Sequence, residues 1–145
     1  MKALQPGVCG SAPAHESARA QVQGAAPYID DIAELKGTLY AAPVTSPIAH
    51  GLLRGIDASA ALALPGVVGL VQASDIPGDP LLATYAHDEP ILAQGKVEHV
   101  GQVLALVVAS SMMQARRAAR QVSLDIEPLP AILSVREALA AGSRV

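Results

Sequence analysis

The last third of the chain carries the plainest alternation of apolar and polar positions. Val103 to Ala109 is an unbroken run of branched and small apolar residues, which predicts a strand covered on both faces. Ser111-Met-Met-Gln114 has capping-box spacing and opens a helix with Ala115, Ala118 and Ala119 on its small face, while Arg116, Arg117 and Arg120 can reach solvent. Ser123 to Glu127 then alternates, Leu124 and Ile126 on one face and Ser123, Asp125 and Glu127 on the other, until Pro128 and Pro130 stop it. Strand, helix and strand with short connections predict a right-handed crossover whose two strands are parallel. Ser134 and Glu137 repeat the capping-box spacing at the head of a final helix through Val135, Ala138 and Leu139.

Upstream the pattern is weaker. Residues 1–14 are rich in Gly, Pro, Ser and Ala without a period and read as a flexible lead-in, followed by one domain over 15–142. His15 to Gln23 has the makings of a short helix stopped by Gly24. Strands are expected over Thr38 to Thr45 and Leu52 to Asp57, the first at an edge or a bulge because Pro43 lacks a ladder donor. Ser59 to Leu64 is a helix capped by Asp57 or Ser59 and ended by Pro65-Gly66, and Val67 to Gln72 is a buried strand. From Ala73 to Gln94 turn formers such as Pro77-Gly78, Asp79-Pro80 and Glu89-Pro90 break any regular element. Yet that segment holds Ile76, Leu81, Leu82, Tyr85, Ile91 and Leu92, many apolar side chains for a loop. Either they dock on a partner or the segment folds back into the domain's own core. The expected class is α+β, a mixed sheet with a crossover β-α-β unit and helices packed on it.

Composition narrows what such a domain can do. The chain has 145 residues, 51% of them hydrophobic, enough for one core and too few for two ordinary domains. Three tyrosines with no Phe or Trp leave no aromatic platform for bases, and at net charge −3 the ten Lys and Arg residues form no stripe for phosphates. Nucleic acid is not an expected partner. The longest branched apolar run falls far short of the roughly 20 residues of a membrane helix, and Pro6-Gly7 interrupts the start before a signal-peptide core could form. With Cys9 as the sole cysteine, the expectation is a soluble, cytoplasmic protein without a disulfide or thiolate cluster of its own.

The candidate chemistry is sparse. His15-Glu16 resembles the opening of a zinc-protease motif, but Arg19 stands where the second His belongs. His50, His87 and His99 lack ligand spacing and read as solvent-facing or turn-capping residues. Asp30 and Asp31, adjacent on an extended segment, point opposite ways and suit turn capping better than a shared proton or metal. Glycines 66, 69, 95 and 101 match neither the dinucleotide fingerprint nor the phosphate loop. Cys9, in Gly-Val-Cys-Gly, has no His nearby in sequence to act as a held base. No catalytic, cofactor-binding or metal-binding residue is assigned.

His15 to Gly24 with Tyr28-Ile-Asp-Asp-Ile32 resembles the opening of the molybdenum-binding chain of the xanthine dehydrogenase and aldehyde oxidase family. Ser46-Pro-Ile-Ala-His50, Arg54-Gly-Ile-Asp57, Leu64-Pro-Gly-Val-Val68 and Ser74-Asp-Ile-Pro-Gly78 are similar to the middle of that family's N-terminal α/β hammerhead domain. Asp88-Glu-Pro90, Val100-Gly-Gln102, Ala105 to Ala109, Ala115 to Ala119 and Glu127 to Ala131 follow in the same order. Gly78-Asp79 and the compact loop after it resemble the two-subunit bacterial xanthine dehydrogenases more than the carbon-monoxide or nicotine branches.

The resemblance implies a piece of an enzyme that hydroxylates an electron-poor carbon, such as C8 of a purine. Its oxygen comes from water, and electrons pass from molybdenum-molybdopterin through iron-sulfur clusters to FAD and NAD. It implies partners in the molybdenum-cofactor domain and the iron-sulfur/FAD subunit. The family's catalytic residues belong to the cofactor domain that follows the hammerhead, so none is carried onto this sequence. Gln102 in Val-Gly-Gln suggests a pterin contact, but its place at the start of a strand gives it a simpler task, and it is not assigned to the site. Two readings stand: a scaffolding part of a molybdenum hydroxylase subunit, inactive alone, or an independent interaction module that kept the fold and lost the enzyme.

Overall fold

A computed structural model describes residues 12–83 and 85–143. The chain divides into two compact units, Met1–Lys36 and Gly37–Val145, and residues 15 to 36 of the expected domain fall in the first. In the first unit, helix α1 (Ala18–Val22) ends at Gly24, whose φ of 67° only glycine adopts freely, as its sequence predicts. The Tyr28 hydroxyl donates to Gln21 Oε1 at 2.8 Å, and a single 3-10 turn (Ile29–Asp31) follows. Most of the expected lead-in, Cys9 included, lies outside the described residues.

The second unit is built on two three-stranded sheets. The first runs β1 (Tyr40–Thr45), β7 (Val103–Ala109), β3 (Val67–Gln72), with β7 central. The second runs β6 (Lys96–Val97), β2 (Gly51–Asp57), β8 (Ser123–Pro128). A separate hairpin pairs β4 (Leu81–Ala83) with β5 (His87–Pro90). Pro43 sits on edge strand β1 opposite Leu106, the placement its missing N–H requires.

The α+β class stands, but the sheet is not mixed and the parallel pairing is corrected. Strands β7 and β8 lie in different sheets, and every strand pair among the described residues is antiparallel. Strand-helix-strand spacing fixes the length of a connection, not the sheet in which the second strand finds a partner. Here the alternating face of β8 pairs along β2, Leu124 opposite Ile56 and Ile126 opposite Leu53. The strand expected to be buried over Val67–Gln72 is an edge strand, so it is only half covered and Val68 is exposed.

Alanine makes the central packing possible. Helix α3 (Met112–Ala119) opens as its sequence predicts, with the Ser111 hydroxyl accepting from the Gln114 N–H at 3.3 Å. It lays Ala115 and Ala118, both fully buried, against β7 and β1. Ala105, Val107 and Ala109 of β7 face this helix, while Leu104 enters a second cluster with Ala93 and Val97. Because β7 is covered on both sides, its sequence shows no alternation. Helix α2 (Ser59–Leu62) is shorter than predicted, and its N-cap is Ala58 rather than Asp57 or Ser59; the Asp57 carboxylate accepts the Ser59 N–H at 2.9 Å in a local turn just before it. Helix α4 (Val135–Ala141) has its expected Ser134 cap, with the Glu137 carboxylate accepting the Leu133 N–H at 2.9 Å.

The segment 73–94 is more regular than its turn formers suggest. It contains a 3-10 turn (Ala73–Asp75) and the β4–β5 hairpin. Asp79 and Pro80 open the hairpin rather than break it: the Asp79 carboxylate accepts the Leu81 N–H at 3.0 Å and the Pro80 carbonyl accepts the Ile91 N–H at 2.9 Å.

Candidate functional site

Among the described residues the two buried polar side chains, Ser46 and Gln102, come together where the end of β1 meets the start of β7. Ser46, buried, ends β1: its N–H donates to the Gln102 carbonyl at 2.9 Å and its own carbonyl accepts the Gly101 N–H at 2.9 Å. The Ser46 hydroxyl donates to the Ile48 carbonyl at 2.8 Å and closes the turn that leads to His50. Gln102, also buried, accepts the Glu98 N–H on its Oε1 at 2.8 Å. Glu98 in turn takes the Lys96 ammonium at 2.7 Å. That hydrogen bond, then the charge of the same lysine, holds the Glu98 carboxyl below its ordinary value, with His50 and His99 adding smaller pulls and slight burial opposing them. Open hollows of 270 and 400 Å³ flank the cluster, both bordered by Asp88, Glu98 and Gln102.

These groups are engaged with one another. Gln102 spends its side-chain oxygen on a loop N–H, the structural task its position implies. His50 Nδ1 donates to the Pro130 carbonyl at 2.6 Å and ties the end of β8 to the start of β2. His87, beside the turn of the hairpin, pairs with Asp79 just before β4 at 2.8 Å, both half exposed. Among the described residues no buried side-chain nitrogen or oxygen lacks a partner, and no three His, Cys, Asp or Glu side chains come together as metal ligands.

The remaining candidates belong to the first unit. His15 Nδ1 contacts the Ser17 hydroxyl at 2.9 Å, a local contact just before α1. The Asp31 carboxylate accepts the Tyr28 N–H at 2.9 Å, so this acid serves as a turn cap as expected. Ser46 is the member that residue chemistry alone did not single out; its only signal was membership of the Ser-Pro-Ile-Ala-His segment. The structure thus joins Ser46–His50 to Val100–Gln102, two stretches through which the resemblance runs, by backbone hydrogen bonds across more than fifty residues of chain.

Residues 23–130 match the family described as aldehyde oxidase and xanthine dehydrogenase, a/b hammerhead domain. The chain belongs to this family. The hammerhead domain here is 46% identical over 134 residues to xanthine dehydrogenase 1 of Arabidopsis thaliana, covering 92% of this chain and 10% of that protein. It is 39% identical over 125 residues to the xanthine dehydrogenase/oxidase of Gallus gallus, covering 86% and 9%. Among solved structures, the aldehyde oxidoreductase from Desulfovibrio desulfuricans superposes with a TM-score of 0.78 at 33% identity, over 90% of this chain and 16% of that one. The Cu,Mo-CO dehydrogenase gives 0.76 at 34% identity, over 89% and 16%. The hammerhead domain therefore spans about a tenth of the length of the curated relatives it matches. No helix among its described residues is long and apolar enough to cross a membrane.

Proposed function

We propose that this chain is the hammerhead domain of the molybdenum-binding subunit of a xanthine dehydrogenase, a scaffold that docks on the molybdenum-cofactor domain and contributes no catalytic group. The observation that carries this reading is the order of identities. Xanthine dehydrogenases of Arabidopsis thaliana and Oryza sativa share 46% and 44% with the chain, above both the animal xanthine dehydrogenases at 36–39% and aldehyde oxidase 3 of Rattus norvegicus at 38%, which stand level with one another. In this reading the complete enzyme hydroxylates hypoxanthine and xanthine in the cytosol. Iron-sulfur clusters and FAD in its other parts relay the electrons to NAD.

A molybdenum-pterin group needs hydrogen-bonding side chains left free to grip its ring edge and phosphate. The buried polar side chains near Gln102 have partners already, and the described residues bring no set of His, Cys, Asp or Glu into ligand geometry. On this reading the work of the domain is recognition and support.

Domain replacement tests the proposal. The hammerhead segment of a complete xanthine dehydrogenase is exchanged for residues 23–130 of this chain, and hypoxanthine-dependent NADH formation is followed. The expected result is an assembled enzyme that keeps purine turnover. A chimaera that folds and carries its cofactors yet oxidises only aldehydes would move the chain to another branch, and one that fails to assemble would remove the scaffold reading. Stoichiometric molybdenum in the isolated 145-residue chain would overturn it from the other side.

A further inference from the structure

The outer face of α3 presents a surface that its own unit does not use. Met112, Met113, Arg116, Arg117 and Arg120 fall within an arc of about 140° on the helix, opposite the buried Ala115 and Ala118. With Tyr40 they border an open cleft of 860 Å³, and Arg116 and Arg120 also border an adjoining hollow of 510 Å³ beside Pro43 of edge strand β1. Met113 is 81% exposed. None of the three arginines has an ion-pair partner among the described residues, although the chain as a whole carries a net charge of −3.

The helix dipole favours cations in the last turn, which accounts for where these arginines lie in α3. It does not account for Arg116 and Arg120 standing one turn apart, where like charges repel, nor for two methionines exposed beside them. Methionine adapts to irregular apolar partners, and guanidinium groups grip carboxylates with two parallel hydrogen bonds.

We propose that this face of α3 docks an acidic amphipathic helix of a partner polypeptide, apolar side chains over Met112 and Met113 and carboxylates on Arg116, Arg117 and Arg120. The inference rests on α3 and its cleft and is independent of the enzyme to which the domain belongs.

The test is a titration of the full chain against a fluorescein-labelled helical peptide of about 16 residues, with leucines along one face and glutamates beside them. A charge-matched peptide with the leucines scattered is the control. Saturable binding on the order of 10 µM is expected, weakened at least roughly tenfold by Arg116→Glu with Arg120→Glu and about threefold by Met113→Ser. Arg116→Lys with Arg120→Lys should weaken binding less than the charge reversal does but measurably, since the charge is kept and the two-pronged grip on each carboxylate is lost. Circular dichroism reports whether each variant is folded, and Arg117→Glu supplies the charge reversal if the double variant is not. Absence of saturable binding, equal binding of the scattered peptide, or binding indifferent to the arginines would overturn the proposal. Self-association of the native chain that the same reversal abolishes would also overturn it, by assigning the face to a second copy.

Discussion

Strand β7 and the β4–β5 hairpin both carry branched apolar side chains, and their fates are opposite. In β7, Leu104 and Val107 are fully enclosed, one in each of two clusters, because a helix covers one face and the second sheet supplies partners for the other. In and beside the hairpin, Leu82 and Ile91 stay more than two-fifths exposed and Tyr85 is wholly so. The segment 73–94 therefore divides between the two readings open to it: Leu92 and Ala93 turn into the core, Leu81 is half-buried, and Leu82, Tyr85 and Ile91 face outward. Hydrophobicity selects which residues can be buried; the number of layers around a strand decides which are.

Truncating one side chain in each region should separate them by several kcal/mol, on the order of a core cavity's cost. Leu104→Ala removes the largest fully buried side chain and should cost about 2–5 kcal/mol, the range for a core cavity. Tyr85→Ala at the exposed hairpin should change stability by no more than about 0.5 kcal/mol. Calorimetric melting of both variants reads the contrast directly, and equal effects would mean that the hairpin is as firmly packed as β7.

A second prediction probes closeness of packing under α3. Ala118 is fully buried whereas Ala119 is only partly so, so Ala118→Leu should overpack the helix against β7 and cost about 1–3 kcal/mol. Met113→Leu on the outer face of the same helix should be nearly neutral. A melting temperature unchanged by Ala118→Leu would show that the helix can lift from the sheet at little cost.

These two regions also mark what could be read in the sequence. Around β7 and α3 the information is local: an unbroken apolar run, a Ser-x-x-Gln cap, and alanines three and four apart each name their element unaided. Where β8 would pair was not local, because Leu124 and Ile126 carry the same alternation whichever sheet receives them. The polar cluster was equally hidden. Ser46 and Gln102 are ordinary residues until the fold brings the Ser46 N–H to the Gln102 carbonyl, and only the ordered resemblance along the chain hinted that their segments belong together. Turn formers misled over 73–94 because Asp and Pro at a hairpin's base look the same in sequence as in a plain loop.

The polar cluster offers a smaller effect. Gln102→Ala leaves the Glu98 N–H without its acceptor while removing little apolar contact, and a loss of about 1 kcal/mol is expected. Gln102→Glu, which keeps an acceptor oxygen, should recover most of it. If the alanine variant melts with the native protein, water replaces the side chain and the cluster does not hold the loops together.

The smallest effect separates the two ways in which carboxylates are held in this fold. Glu98 is kept ionised first by its hydrogen bond to Lys96 and next by that lysine's charge, whereas Glu137 is held by the Leu133 N–H and then the Ser134 hydroxyl. A carboxyl lowered in the folded state contributes stability above its unfolded value and loses it as pH falls through the folded one. For both residues that window lies at and below the ordinary value of 4.5. The Lys96 and Glu98 side chains are each 53% exposed, so screening by solvent leaves their pairing worth less than about 0.5 kcal/mol. Lys96→Met should therefore barely move the melting temperature at neutral pH, yet raise the titration midpoint of Glu98 by nuclear magnetic resonance while leaving that of Glu137 in place. Added salt should shift Glu98 in the same direction and affect Glu137 less, because a backbone N–H carries no net charge to screen. Should the Glu98 midpoint stay fixed when Lys96 loses its ammonium, the carboxylate is held by His50 and His99, the weaker neighbours, and the lysine pairing is a surface contact without consequence.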